Sequence, residues 1–207
     1  MIIILPMERV KELEYFNIGR SYGGNQKWMK DPWMHIGGCA ALTTCDAFIC
    51  FARYRGRKEL YDYDPENITK RDYVRFGMSM KPYLRPRETG IKDLDTYIYG
   101  VRAYLEDVGA DDIGIEGFGG ENAWEEARDA IADQIDRGIP VPYLMLKHRD
   151  KAFDFFEWHW FLINGYAERD GIFTLKAATY GKAHFLPLER LWNTGYEEKG
   201  GIALFRL

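Results

Sequence analysis

The sequence predicts an α+β fold, with helices in the front of the chain and an antiparallel sheet at the back. Three observations predict it. Before Gly138, apolar residues recur at helical spacing in successive segments. After Gly138, short apolar runs alternate with turn residues. The two patterns are segregated along the chain, as in α+β and not doubly wound folds. A length of 207 residues fits one domain. Its helical lobe is expected over about 15–137 and its β lobe over about 138–207.

Met1 to Pro6 (MIIILP) reads as a short apolar strand or arm, followed by a charged segment to residue 14. Residues 15–38 read as loop, punctuated by Gly19, Gly23, Gly24, Pro32, Gly37 and Gly38. That loop carries Trp28, Met29, Trp33, Met34 and Ile36, so it is expected to pack on the body of the domain. From Cys39 to about Arg53 the chain is apolar on nearly every side, which predicts a buried helix. Gly37 and Gly38 lead into it, supplying the backbone freedom of a tight approach. Residues 54–68 read as loop. Thr69, with Asp72 three residues on, predicts a helix start, and Tyr73, Phe76, Met80 and Tyr83 share a face until Pro82 and Pro86. Leu94, Ile98, Val101 and Leu105 mark a further helix, ending near Gly109. Ile113 and Ile115 alternate as in a short strand. A last long helix is expected from about Asn122 to Arg137, stopped by Gly138. Strands follow at 140–146, 159–166 and 171–177, the first placed at a start or an edge by Pro140 and Pro142. A short amphipathic segment over 187–192 precedes a final strand, Ile202 to Arg206.

Composition excludes several classes. A net charge of −4 without a basic cluster argues against a nucleic-acid partner. No stretch approaches the roughly 20 apolar residues of a membrane span, and Met1 to Pro6 lacks the parts of a signal peptide, so a cytoplasmic setting is expected. The cysteines, Cys39, Cys45 and Cys50, form no C-x-x-C pair, which predicts no metal, no cofactor and no disulfide framework. Asp111, Asp112 and Glu116 do not have calcium-loop spacing and read as solvated.

One constellation carries chemistry. A cysteine in the first turn of a helix meets free N–H groups and the positive end of the dipole, which predicts a lowered thiol pKa for Cys39. Acyl transfer also needs an imidazole and oxyanion donors. Of His35, His148, His159 and His184, His159 is the best placed, opening an apolar strand between two tryptophans. His148 and His184 read as surface residues. Gln26, in the apolar loop, offers an amide N–H to pair with the Cys39 backbone N–H. Cys45 and Cys50 read as core.

Three segments resemble papain-like cysteine peptidases, and within them the bacterial C39-like group. Asn25-Gln26 with Gly38-Cys39-Ala40-Ala41-Leu42 is similar to that group's Gln-loop-Cys-Gly-x-x-x-Leu start. Arg137-Gly138-Ile139-Pro140-Val141 is similar to its Gly-x-Pro-Val strand opening. His159 to Tyr166 (HWFLINGY) is similar to its His-Trp-Val-Val-x-x-Gly-Tyr strand. The resemblance implies a papain-like fold: a buried helix carrying the cysteine, a helical lobe, then a β lobe carrying the histidine. It implies Cys39 as nucleophile, His159 as general acid/base and Gln26 as oxyanion donor, acting on a peptide or small amide.

The chain departs from that pattern at two places. Gly38 precedes the cysteine where the family has a following glycine. Ala177 stands where the family has an Asp or Asn to orient the imidazole; Thr179, Tyr180 and Glu157 are the candidate substitutes. The expected function is thus a thiol-dependent peptidase or amidase acting through a thioester and a thiolate–imidazolium pair. The alternatives are an acyltransferase on the same fold and a catalytically inactive papain-like binding module.

Overall fold

The computed structural model describes residues 8–207, so the expected arm over 1–6 lies outside the described residues. In chain order the strands are β1 (Arg9–Glu12), β2 (Asn17–Ile18), β3 (Ser21–Tyr22), β4 (Gly114–Gly119), β5 (Val141–Met145), β6 (His159–Arg169), β7 (Ile172–Thr179), β8 (Lys182–Pro187) and β9 (Gly201–Arg206). The helices are α1 (Pro32–Gly37), α2 (Cys39–Tyr54), α3 (Lys70–Met80), α4 (Leu94–Asp107), α5 (Trp124–Asp136) and α6 (Leu188–Trp192). This is a mixed α+β arrangement around one large antiparallel sheet, ordered β4-β9-β5-β6-β7-β8, with β1 also paired to β6. β2 and β3 form a separate hairpin.

Helix α2 is the centre of the packing. Every residue from Cys39 to Ala52 is buried, because the segment has no polar face to offer water. It lies against β5 and β6 on one side and α3 on another. Phe48 packs its ring near Tyr104 of α4 and Phe205 of β9, at centroid distances of 5.4 and 6.1 Å. The opposite face of the sheet is covered by α5 and α6. The strands between are therefore buried on both faces: in β5, Leu144 faces the α2 core while Tyr143 and Met145 face the other. Burial on both faces explains why β5 and β6 read as continuous apolar runs without alternation.

Several expectations change. Residues 32–37 are not loop but helix α1, started by Asp31, whose side chain accepts from Met34 N–H, with Pro32 in its first turn. Gly37 and Gly38 are required for space and not for backbone angle. Gly38 has φ −85°, and a Cβ there would lie 2.4 Å from the Met34 carbonyl oxygen. A Cβ on Gly37 would lie 2.4 Å from that of Arg87. β5 is interior despite Pro142, because β9 pairs only with Tyr143 and Leu144. β8 was not anticipated, and β1 and β4, from the front of the chain, join the sheet. Other signals operate as read: Thr69 accepts from Asp72 N–H at 3.1 Å, and Asp170-Gly171, both at positive φ, turn β6 into β7.

Truncating the centre of α2 should be costly and removing a cap mild. Phe48→Ala is expected to lower stability by about 3–5 kcal/mol and Thr69→Ala by about 1 kcal/mol. Urea unfolding of the two variants checks the contrast.

Candidate active site

Cys39 is the first residue of α2, and its cap Gly38 offers no side-chain hydrogen bond. The first-turn N–H groups are therefore free to face the thiol. The N–H groups of Trp160, Ala40 and Cys39 itself lie where they stabilise a thiolate, yet burial outweighs them and pushes the Cys39 thiol up. This corrects the expected lowering: a helix N-terminus favours the anion, but losing water costs more here. Cys45 and Cys50 are also buried, with thiols driven far above the usual range.

His159 opens β6, next to Trp160, so the strand that brings the Trp160 N–H to the thiol also carries the imidazole. Its Nε2 lies 2.7 Å from Thr179 Oγ1. The Tyr180 ring stacks on the imidazole at 4.8 Å, with 6° between the planes. With Nε2 taken by Thr179, Nδ1 is the remaining imidazole nitrogen. Burial, and then the neighbouring His184, pull His159 down to about 3. Both shifts favour an uncharged thiol and an uncharged imidazole, and not the thiolate–imidazolium pair expected from sequence.

The third position is where the register matters. Ala177 is fully buried in the core and reaches no histidine nitrogen. The β6–β7 ladder carries a bulge between Ile163 and Gly165, which shifts the register by one residue. One extra residue exchanges the faces of a strand. With the bulge, Ala177 pairs with Ile163, so Ala177 and Thr179 both lie on the His159 face; Ala177 stands opposite a residue four positions from His159, and Thr179, further along β7, is the one that reaches it. Tyr180 and Gly181 then form the two-residue turn into β8, at φ 48° and 74°. Glu157 instead accepts from the His148 N–H at 2.7 Å. His148 is buried, bonded to the Arg190 carbonyl, and His184 is half-buried, so neither is the surface residue expected.

Gln26 is buried, in a 3-10 turn over Gln26–Trp28 that Asn25 caps. Its Nε2 donates to the His35 carbonyl at 3.0 Å, which leaves one amide hydrogen, while its Oε1 is buried without a partner. Asn25 Nδ2 also donates to the Tyr180 carbonyl, tying this turn to the residue stacked on His159. Gln26, Cys39, His159, Thr179 and Tyr180 all line one void of about 20 Å³. Cys39, His159 and Tyr180 also line a larger cavity of about 350 Å³.

Asp46 lines the small void too, and sequence reasoning passed over it. The signal was present: an acid alone in an apolar helix, seven residues after Cys39, falls on the same helix face. Its carboxylate accepts from Tyr15 and Tyr73 hydroxyls at 2.6 and 2.8 Å and from Gly24 N–H at 3.3 Å. It thereby fixes the loop that carries Gln26. A Cβ on Gly24 would fall 1.8 Å from the Tyr73 ring, so this approach needs glycine.

Comparisons with family models, with characterised proteins and with solved structures find no match. Among the described residues, no helix is long and apolar enough to cross a membrane.

Burial raises Asp46 to about 6, despite the three donors that oppose the rise. An unfolded Asp titrates near ~4, so between these values the folded chain holds a proton that the unfolded chain has lost. The Asp46 contribution to stability therefore falls as pH rises from ~4 to 6. Asp46→Asn should flatten this part of the pH dependence, read as the urea midpoint of both proteins across the window. The thiol shift gives a second expectation. Alkylation of Cys39 by iodoacetamide, followed by peptide mass mapping, should accelerate only at alkaline pH; a plateau extending to acid pH would indicate an ion pair instead.

Proposed function

We propose that this chain is a thiol-dependent hydrolase, a peptidase or amidase with a papain-like arrangement of helical and β lobes. The observation that carries the reading is the convergence of Cys39, His159 and Gln26 on one void, with Thr179 on the far imidazole nitrogen. Cysteine nucleophile, imidazole base and amide donor are the groups acyl transfer requires.

With Nε2–H donating to Thr179 Oγ1, Nδ1 accepts the thiol proton as Sγ attacks the substrate carbonyl carbon. Starting from a neutral pair, proton transfer and attack proceed together. The negative oxygen of the tetrahedral intermediate receives the spare Gln26 Nε2 hydrogen and the Cys39 N–H. The imidazolium returns its proton to the leaving amine as the C–N bond breaks, leaving a thioester on Cys39. His159 then deprotonates a water that attacks the thioester, and the thiol leaves with the proton restored. Thr179 occupies the orienting role usual for a carboxylate or amide. A hydroxyl fixes the ring but stabilises an imidazolium less than a carboxylate does, in keeping with the low His159 pKa.

The burial of Cys39 favours one competing reading, a papain-like module that binds without hydrolysing. An electrophilic acyl probe separates the two: hydrolytic function predicts labelling at Cys39, lost in Cys39→Ala and retained in Cys45→Ala and Cys50→Ala. Equal labelling of all three cysteines, or none, overturns the assignment. On a substrate so identified, His159→Ala should cost about 10²–10⁴-fold in kcat and Gln26→Ala about 10²–10³-fold. Repeating the assay with added amine, and looking for an amide product, distinguishes acyl transfer from hydrolysis.

A further inference from the structure

The larger cavity beside Cys39 has a chemistry of its own. Its charged lining residues are Glu88 and Glu157, and among the described residues no lysine or arginine lines it. His159, the nearest ring able to offset them, is held neutral. One Glu157 oxygen accepts from the His148 N–H. Among the described residues, neither the other Glu157 oxygen nor the Glu88 carboxylate has a hydrogen-bond donor from the protein. The walls are apolar and open to water: Ile36 is 68% exposed, Phe155 54% and Trp158 39%. These are large hydrophobic side chains on a rim, where an unoccupied surface carries a solvation cost. The Trp158 ring already holds one cation, Lys147 Nζ, at 5.7 Å from its centroid, although Lys147 does not line the cavity. Trp158 itself sits at φ 54°, a conformation that costs energy for a residue of this size and that sets its ring at the cavity wall.

Two carboxylates in a cavity with aromatic and aliphatic walls match a group with an apolar stem and a cationic head. Lysine and arginine side chains have that form. The sign changes across α1: the hollow around Trp33 is lined by Lys81, Arg85 and Arg87 together with Glu88, which the two hollows share, so Glu157 is the acid that belongs to the Cys39 cavity alone.

We infer that the cavity beside Cys39 selects peptide or amide substrates carrying a lysine or arginine side chain next to the carbonyl under attack. Its stem packs on Ile36, Phe155 and Trp158, and its charge meets Glu88 and Glu157. This inference rests on reading Cys39 and His159 as the reacting pair.

The test separates the two. In full-length Cys39→Ala protein, where no turnover occurs, tryptophan fluorescence is followed on titration with acetyl-Ala-Leu-Arg-Ala-amide and with the same peptide carrying Glu or norleucine in place of Arg. The arginine peptide is expected to bind at least tenfold more tightly than the glutamate peptide, with norleucine between. Adding Glu88→Gln and Glu157→Gln should abolish the preference; the second substitution keeps a carbonyl oxygen for the His148 N–H, so the fold is undisturbed. Equal binding of the three peptides, or tighter binding of the glutamate peptide, overturns the inference. Acyl-probe labelling of Cys39 in the wild-type chain is scored separately. Labelling without charge preference sinks this inference and leaves the hydrolase reading standing. Charge preference without labelling sinks the hydrolase reading and leaves a basic-peptide binding cavity.

Discussion

A carboxylate inside an apolar helix must find donors, and Asp46 finds them on three separate segments. Tyr15 reaches it from the chain before the β2–β3 hairpin, Tyr73 from α3, and the Gly24 N–H from the loop before α1. Burying the charge without them would cost several kcal/mol. The loop that carries Gln26 therefore has its position set by the same helix whose first residue is Cys39. The distance between the amide and the thiol is fixed within one rigid element, two turns of α2, plus one hydrogen-bonded contact. That arrangement keeps the small void in place although the residues lining it come from the loop and turn over 24–26, α2, α3, β6, β7 and the β7–β8 turn. Asn25 extends the chain of contacts to the Tyr180 carbonyl, and so to the ring lying on His159.

Electrostatically the site is set by exclusion of water. Cys39 is raised, His159 is lowered and Asp46 is raised, each mainly by burial. Cys39 and His159 thus rest uncharged, and on the proposed hydrolase reading charge arises only as a substrate carbonyl is attacked beside Gln26. A site of this kind gains most from donors already in position, because little solvent is left to reorganise.

Much of this was legible in the residues. The burial of α2 follows from its lack of a polar face, the Thr69 cap from its partner at 72, and the β6–β7 turn from Asp170-Gly171. The candidate trio was found because Cys39 opens a helix and His159 a strand. Other features depend on tertiary facts that no local pattern contains. The thiol pKa turned on how completely its neighbours cover it. Which residue meets the far imidazole nitrogen depends on position along β7, since Ala177 and Thr179 share a strand face and Thr179 is the one that reaches His159. β8 escaped notice because Phe185 is exposed while Leu186 is buried, so its apolar residues sit on both faces and blur the alternation. Helix α1 was hidden by its glycines, although Asp31-Pro32 is a helix-start signature.

Tyr180 shows what the site gives up to be built this way. The turn between β7 and β8 has positive φ at both central residues, a geometry that suits Asn or Gly and costs a tyrosine about 1–2 kcal/mol. Gly181 meets the requirement without strain; Tyr180 does not, and its ring is committed to the imidazole. Thermostability and site geometry therefore pull in opposite directions at one residue. A chain refined for heat resistance alone would drift toward glycine there, becoming sturdier as its histidine came loose.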